Sequence, residues 1–161
     1  MNYLVLASFL LIQQPATVPN QTAQGAINPE VTQENLQETI CHKGWSKTVR
    51  PDSSWSMRIK RRLLREQHPE AASREFELDH RVPIEEGGCP NCESNVWLEP
   101  WRDPGEHKCV PDQMLDAACK DVLENLVHRR TCSGQMTLRE GQAAFLGDWR
   151  QAYHRLVEGA R

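Results

Sequence analysis

A single small α+β domain is what this sequence predicts, and three observations predict it. Phe76, Leu78, His80 and Val82 alternate with Glu77, Asp79 and Arg81, which is the period of a strand. Val96-Trp97-Leu98 offers a partner strand after turn signals at Gly87-Gly88 and Pro90-Asn91. Around this pair, three stretches carry apolar residues at helical spacing, and 161 residues, 39% of them hydrophobic, can bury one modest core but hardly two.

The elements follow in order. Residues 1–23 contain an uncharged apolar run from Tyr3 to Ile12, too short to span a bilayer, which takes about 20 residues. It reads as a secretory signal with cleavage candidates near Ala16, Ala23 and Ala26, an uncleaved N-terminal anchor being the alternative. Residues 24–40 are rich in Gln, Asn, Thr, Pro and acids without a helical or strand period, which predicts a disordered linker and leaves residues 41–158 as the domain. The first helix is expected from Ser53 or Ser54 to Gln67, with Trp55, Ile59 and Leu63 on one side and basic residues on the other. Pro69 ends it. The second runs from about residue 113 to 130, opened by Pro111 and Asp112. Its apolar side holds Leu115, Ala118, Cys119, Val122 and Leu126, while Lys120, Glu124 and His128 follow at intervals of four on another side. The last helix begins with Thr137 and Glu140 spaced as a capping box and buries Phe145, Trp149, Ala152, Tyr153 and Leu156.

The net charge of −3 argues on its face against a polyanionic partner. The distribution reverses that argument. Between residues 43 and 65, Lys43, Lys47, Arg50, Arg58, Lys60, Arg61, Arg62 and Arg65 face only Asp52, a basic segment able to neutralise phosphates; the bland alternative is a solvated helix face. Six cysteines make an even count in a chain expected to be exported, which favours disulfides.

The chemistry concentrates at the hairpin. In-line attack on phosphorus needs an activated water on one side and a stabilised leaving oxygen on the other. Adjacent strand residues point to opposite faces, so Asp79 can hold a cation while His80, whose ordinary pKa leaves it largely neutral at pH 7, takes the proton of water. Asn95 or its backbone carbonyl can fix the ring of His80, and Glu124 with His128, one helical turn apart, can complete the metal shell. Carboxylate with imidazole suits Mg²⁺, Mn²⁺ or Zn²⁺. Lys120, Arg81 and Arg129 could hold phosphate oxygens, with Lys47 and Arg50 of the basic segment gripping the backbone. Each element alone is weak, because a buried His bonded to a neighbour and a Glu-x-x-x-His pair are both common structural features.

Taken together, the region from Leu78 through His128 resembles the HNH endonucleases, whose fold is the ββα-metal finger. Asp79-His80 stands at that family's metal-ligand and general-base pair, Val82-Pro83-Ile84 with Gly87-Gly88 resembles its hairpin, and Asn95 stands at its middle Asn. The pattern Lys120-Asp121-x-x-Glu124-x-x-x-His128, then Cys132-x-Gly134, is similar to a branch found in small bacterial proteins, as is Cys41-x-x-Gly44-Trp45 upstream. The resemblance implies a ββα-metal core with flanking helices, His80 as general base and Asn95 as its orienter. It implies Asp79 and His128 as metal ligands, with Glu124 as a further ligand. The stretch from Asn95 to His128 is longer than the compact finger of many members, and four of the cysteines fall in it or just before it.

Those four, Cys89, Cys92, Cys109 and Cys119, admit either two disulfides or a second, structural Zn²⁺, and in the first case Cys41 and Cys132 are left as a third pair. The expectation is an exported monomer, periplasmic or secreted, with no stable membrane association after signal cleavage. It would hydrolyse phosphodiester bonds in DNA, with RNA open, at little sequence preference, using one divalent cation and no small-molecule cofactor. Two readings compete: a noncatalytic zinc-containing nucleic-acid-binding module, and an exported disulfide-stabilised scaffold for a protein partner.

Overall fold

The computed structural model describes residues 26–110 and 114–159. The expected signal at residues 1–23 and the helix start at Pro111 and Asp112 lie outside the described residues. The chain is an α+β domain in which a two-stranded antiparallel sheet, β1 (Phe76–His80) and β2 (Val96–Pro100), is flanked by helices. The helices are α1 (Trp45–Val49), α2 (Ser53–Gln67), α3 (Ala117–Cys132), α4 (Leu138–Leu146) and α5 (Trp149–Tyr153), the last continued by a π-helical turn over His154–Glu158. No helix among the described residues is long and apolar enough to cross a membrane.

Capping sets the helix starts. Asp52, rather than Ser53 or Ser54, caps α2: its Oδ1 accepts the backbone N–H of Ser54 at 2.8 Å and of Trp55 at 3.0 Å. Ile59 and Leu64 of α2 are buried, and Arg58, Arg61 and Arg65 are exposed. Asp116 caps α3, so this helix starts later than its periodicity suggests. The buried side of α3 is also rotated from the expected one: Ala118, Cys119, Leu123 and Val127 enter the core, Val122 is 41% exposed and Leu126 is half-buried. The capping box of Thr137 and Glu140 forms as expected. The single last helix does not: Gly147 stops α4, and Asp148 recaps the chain as α5. Phe145, Trp149, Ala152 and Tyr153 nonetheless reach one core with Leu115, Leu123 and Val127.

β1 pairs with β2 in the register Asp79 opposite Trp97 and His80 opposite Val96. Between them the chain makes two single-turn 3-10 helices, Ile84–Glu86 and Glu93–Asn95. Gly87 lies at φ +72°, in the left-handed region, and a side chain at Gly88 would run into the Val82 carbonyl oxygen. The paired glycines thus permit both the reversal and the close approach of backbone to backbone.

The linker expected at residues 24–40 is corrected from Ala26 onward. Val31, Leu36 and Ile40 are buried against Leu138, with Cys41 and Trp45 packed on the cluster. Backbone bonds join Asn28 N to Gly87 O and Cys89 N to Ala26 O, each at 2.8 Å. Three widely spaced apolar residues suffice because the segment buries one side of an irregular path, which leaves no period to read.

All six cysteines are paired: Cys41–Cys132, Cys89–Cys92 and Cys109–Cys119. The choice between disulfides and a four-cysteine zinc site therefore falls to disulfides, which leave no free thiolate for that metal. Three disulfides in one small domain suit an oxidising, extracellular type of environment. Cys41–Cys132 fastens the N-terminal segment to the end of α3.

Candidate active site

Asp79 and His80 end β1, and α3 crosses beside them. The two elements enclose a polar cavity of about 240 Å³ lined by Arg50, Asp79, His80, Glu85, Asp121 and Glu124, among others. Of the residues singled out from sequence, the fold thus gathers Asp79, His80, Glu124 and Arg50 around one space.

His80 is buried and its Nε2 lies 2.9 Å from the carbonyl oxygen of Pro90. A carbonyl only accepts, so Nε2 carries the proton and Nδ1 keeps the lone pair of the neutral ring. Burial moves the imidazole below its ordinary pKa, against the opposing pull of the Pro90 carbonyl and the Asp79 charge. The ring is held as a neutral base in one tautomer.

The contact expected from Asn95 is made by Pro90 instead. Asn95 is fully buried and spends its amide on the loop: Oδ1 accepts from Val82 N at 2.9 Å, and Nδ2 donates to Val82 O at 3.0 Å and Cys89 O at 2.9 Å. Asn95 holds the turn that carries Pro90. Sequence reasoning missed Pro90, since a backbone carbonyl leaves no mark in residue type.

Lys120 is the largest departure. Placed in the sequence among residues free to hold phosphate, it is 1% exposed, and its Nζ donates to Asp79 Oδ2 at 2.5 Å, to His80 O at 2.9 Å and to Glu124 Oε1. Glu99, also buried, lies 4.0 Å from the same nitrogen. Burial alone would lower the Lys120 ammonium, but Asp79, Glu124 and Glu99 outweigh it and raise its pKa, so the side chain stays charged. Burial would likewise raise the Asp79 carboxyl, yet the Lys120 charge holds it below the ordinary Asp value. Glu99 goes the other way: burial pushes it up, despite Lys120 and with the help of Asp79. Glu124 is raised by burial too, against Lys120.

His128 stands apart. Its Nδ1 lies 3.0 Å from Glu85 O and 3.7 Å from Glu86 Oε1, its ring nitrogens lie 3.9 Å from Cys132 Sγ, and it borders a separate open cavity with Arg129, Arg130 and Ser133. Of the expected set, Asp79 and Glu124 line the first cavity, and His128 is not among its lining residues. Among the described residues no group of three or more His, Cys, Asp or Glu side chains is placed to hold an ion. Asp79 and Glu124 do converge, since one ammonium touches both. Two carboxylates facing a polar cavity fit a hard, oxygen-preferring cation that keeps much of its water shell, as Mg²⁺ and Mn²⁺ do, better than a His-containing Zn²⁺ site.

The remaining predicted phosphate contacts separate. Arg81 stacks its guanidinium over Trp97, 5.4 Å from the ring centre, and does not line the cavity. Arg129 lies on the other cavity, and Lys47 is exposed on α1. Only Arg50 is at the rim beside His80. Comparison of the chain with family models, with curated proteins and with solved structures finds no match.

Proposed function

We propose that this chain is an exported endonuclease of the ββα-metal type, hydrolysing phosphodiester bonds in DNA, with RNA open, and depending on one divalent cation. The observation that carries the reading is the meeting of His80, held with a free Nδ1, with Asp79 and Glu124 around one polar cavity at the junction of hairpin and helix. His80 accepts the proton of the attacking water through Nδ1, and the Pro90 carbonyl stabilises the imidazolium that forms. Asp79 and Glu124 would hold the cation, which when bound would supply positive charge for the phosphoryl and leaving oxygens. Arg50 and the exposed cations of α1 and α2 neutralise the nucleic-acid backbone, which carries no sequence information.

One observation favours a noncatalytic nucleic-acid-binding module instead: Lys120 already satisfies both carboxylates. The same assay separates the two. Oxidised full chain should nick supercoiled plasmid with Mg²⁺ or Mn²⁺ and lose that activity with EDTA and in His80→Ala, whose circular dichroism stays native. Binding without nicking, or equal nicking by His80→Ala, would overturn the nuclease reading.

A further inference from the structure

The loop that carries Pro90 is cross-linked on itself. Cys89 and Cys92 flank Pro90 and Asn91, and both ends are pinned through Asn95: Nδ2 donates to Cys89 O, and the backbone N–H donates to Cys92 O, each at 2.9 Å. Cys89 N is held in turn by Ala26 O. The two residues between are different. Pro90 has no N–H, Asn91 is exposed, and among the described residues the one backbone contact of this pair is the Pro90 carbonyl on His80.

We propose that the Cys89–Cys92 disulfide is a positioning device for His80, closing the loop so that the Pro90 carbonyl stays against Nε2 and the lone pair stays on Nδ1. A pair of residues pinned at its ends alone retains freedom to swing the intervening peptide, which would carry the carbonyl away from the ring. A short disulfide ring removes that freedom. Without the carbonyl nothing fixes the tautomer, and a ring with its proton on Nδ1 cannot take one there. The residues that hold the carbonyl thus act on the chemistry through His80, without touching substrate.

The inference rests on His80 being the base, but its first readout does not. Long-range ¹H–¹⁵N NMR on oxidised full chain reports the tautomer of His80 directly, assigned against His80→Gln. Wild type should show the Nε2–H form predominating, and Cys89→Ser/Cys92→Ser a mixture of the two forms. Removing the other short disulfide by Cys109→Ser/Cys119→Ser should leave the His80 signals in place. In plasmid nicking, the Cys89→Ser/Cys92→Ser variant should lose roughly tenfold or more in kcat with KM within about twofold, because orientation of the base is lost and binding of the backbone is not. If the serine pair unfolds the chain, Cys89→Ala/Cys92→Ala, which brings no hydroxyls into these half-buried positions, is read the same way. A variant that keeps the wild-type tautomer overturns the inference whether or not the protein cuts DNA. A wild type with the expected tautomer and no cleavage overturns the nuclease reading alone.

Discussion

Lys120 Nζ sits 2.5 Å from Asp79 Oδ2 and also contacts Glu124 Oε1, so the positive charge on which the two site carboxylates converge is one of the protein's own. The ammonium is 1% exposed, while the two carboxylate side chains keep 21% and 19% of their surface. It therefore ties α3 to the end of β1 from beneath, and the carboxylates retain faces toward the cavity. An ion pair of this kind is worth little net, but breaking it by removing one partner leaves the others buried and unpaired.

Lys120→Met, close in volume and without charge, should accordingly destabilise the domain by roughly 3–5 kcal/mol, mostly through Asp79 and the backbone carbonyl of His80 losing their donor. Urea unfolding of the oxidised chain measures it. A loss below about 1 kcal/mol would mean that Asp79 and Glu124 are already neutral or well solvated without Lys120, contrary to this account.

A second prediction separates the ligands. Glu124→Gln should weaken Mn²⁺ binding by roughly tenfold or more, measured by calorimetry, because one of two converging carboxylates is neutralised. His128→Gln should change it less than about twofold, since that ring faces Glu85, Glu86 and Cys132. The reverse order would restore the ligand set expected from sequence and place a rotation of His128 on the binding pathway.

The hairpin was legible because a strand writes its burial at period two and a reversal writes glycines. Asp79, His80 and Asn95 could be picked out for the same reason. The helix face was misread at Lys120 because a lysine at helical spacing from Glu124 and His128 looks solvent-facing, and only the tertiary approach of β1 turns that face inward. Periodicity also placed Val122 in the core, whereas the buried stripe runs through Ala118, Leu123 and Val127 and admits Lys120 because three carboxyl groups surround it. The segment from Ala26 to Cys41 was opaque for another reason: its order comes from long-range contacts with Gly87, Cys89 and Leu138, which no local pattern encodes. His128 keeps its expected place on α3, but its ring is taken up by Glu85 O and lies near Glu86, and it is not among the residues that line the cavity.

A third prediction concerns Glu86, which the sequence did not single out. It is fully buried between α3 and α4: Oε2 accepts from Thr131 Oγ1 at 3.2 Å, while Oε1 has no hydrogen-bond partner among the described residues. Gly141 packs so close that a Cβ there would lie 2.5 Å from Oε2. Burial, with Glu124 and Glu85 adding repulsion and Thr131 opposing, pushes the carboxyl up to about 8 from an ordinary 4.5. Between those two values the folded chain holds a proton that the unfolded chain has released. The stabilisation is therefore complete below about pH 4.5 and is lost as pH rises through about 8, at up to roughly 1.4 kcal/mol per pH unit. Glu86→Gln keeps the shape and carries no charge, so the gap between variant and wild type, followed by urea unfolding from pH 5 to 9, should move in favour of the variant up to about pH 8 and level off above it. Subtracting the two curves removes the other buried carboxyls, Glu99 and Glu124, which titrate in the same direction. Parallel curves across that range would mean that Glu86 is ionised in the folded state at neutral pH.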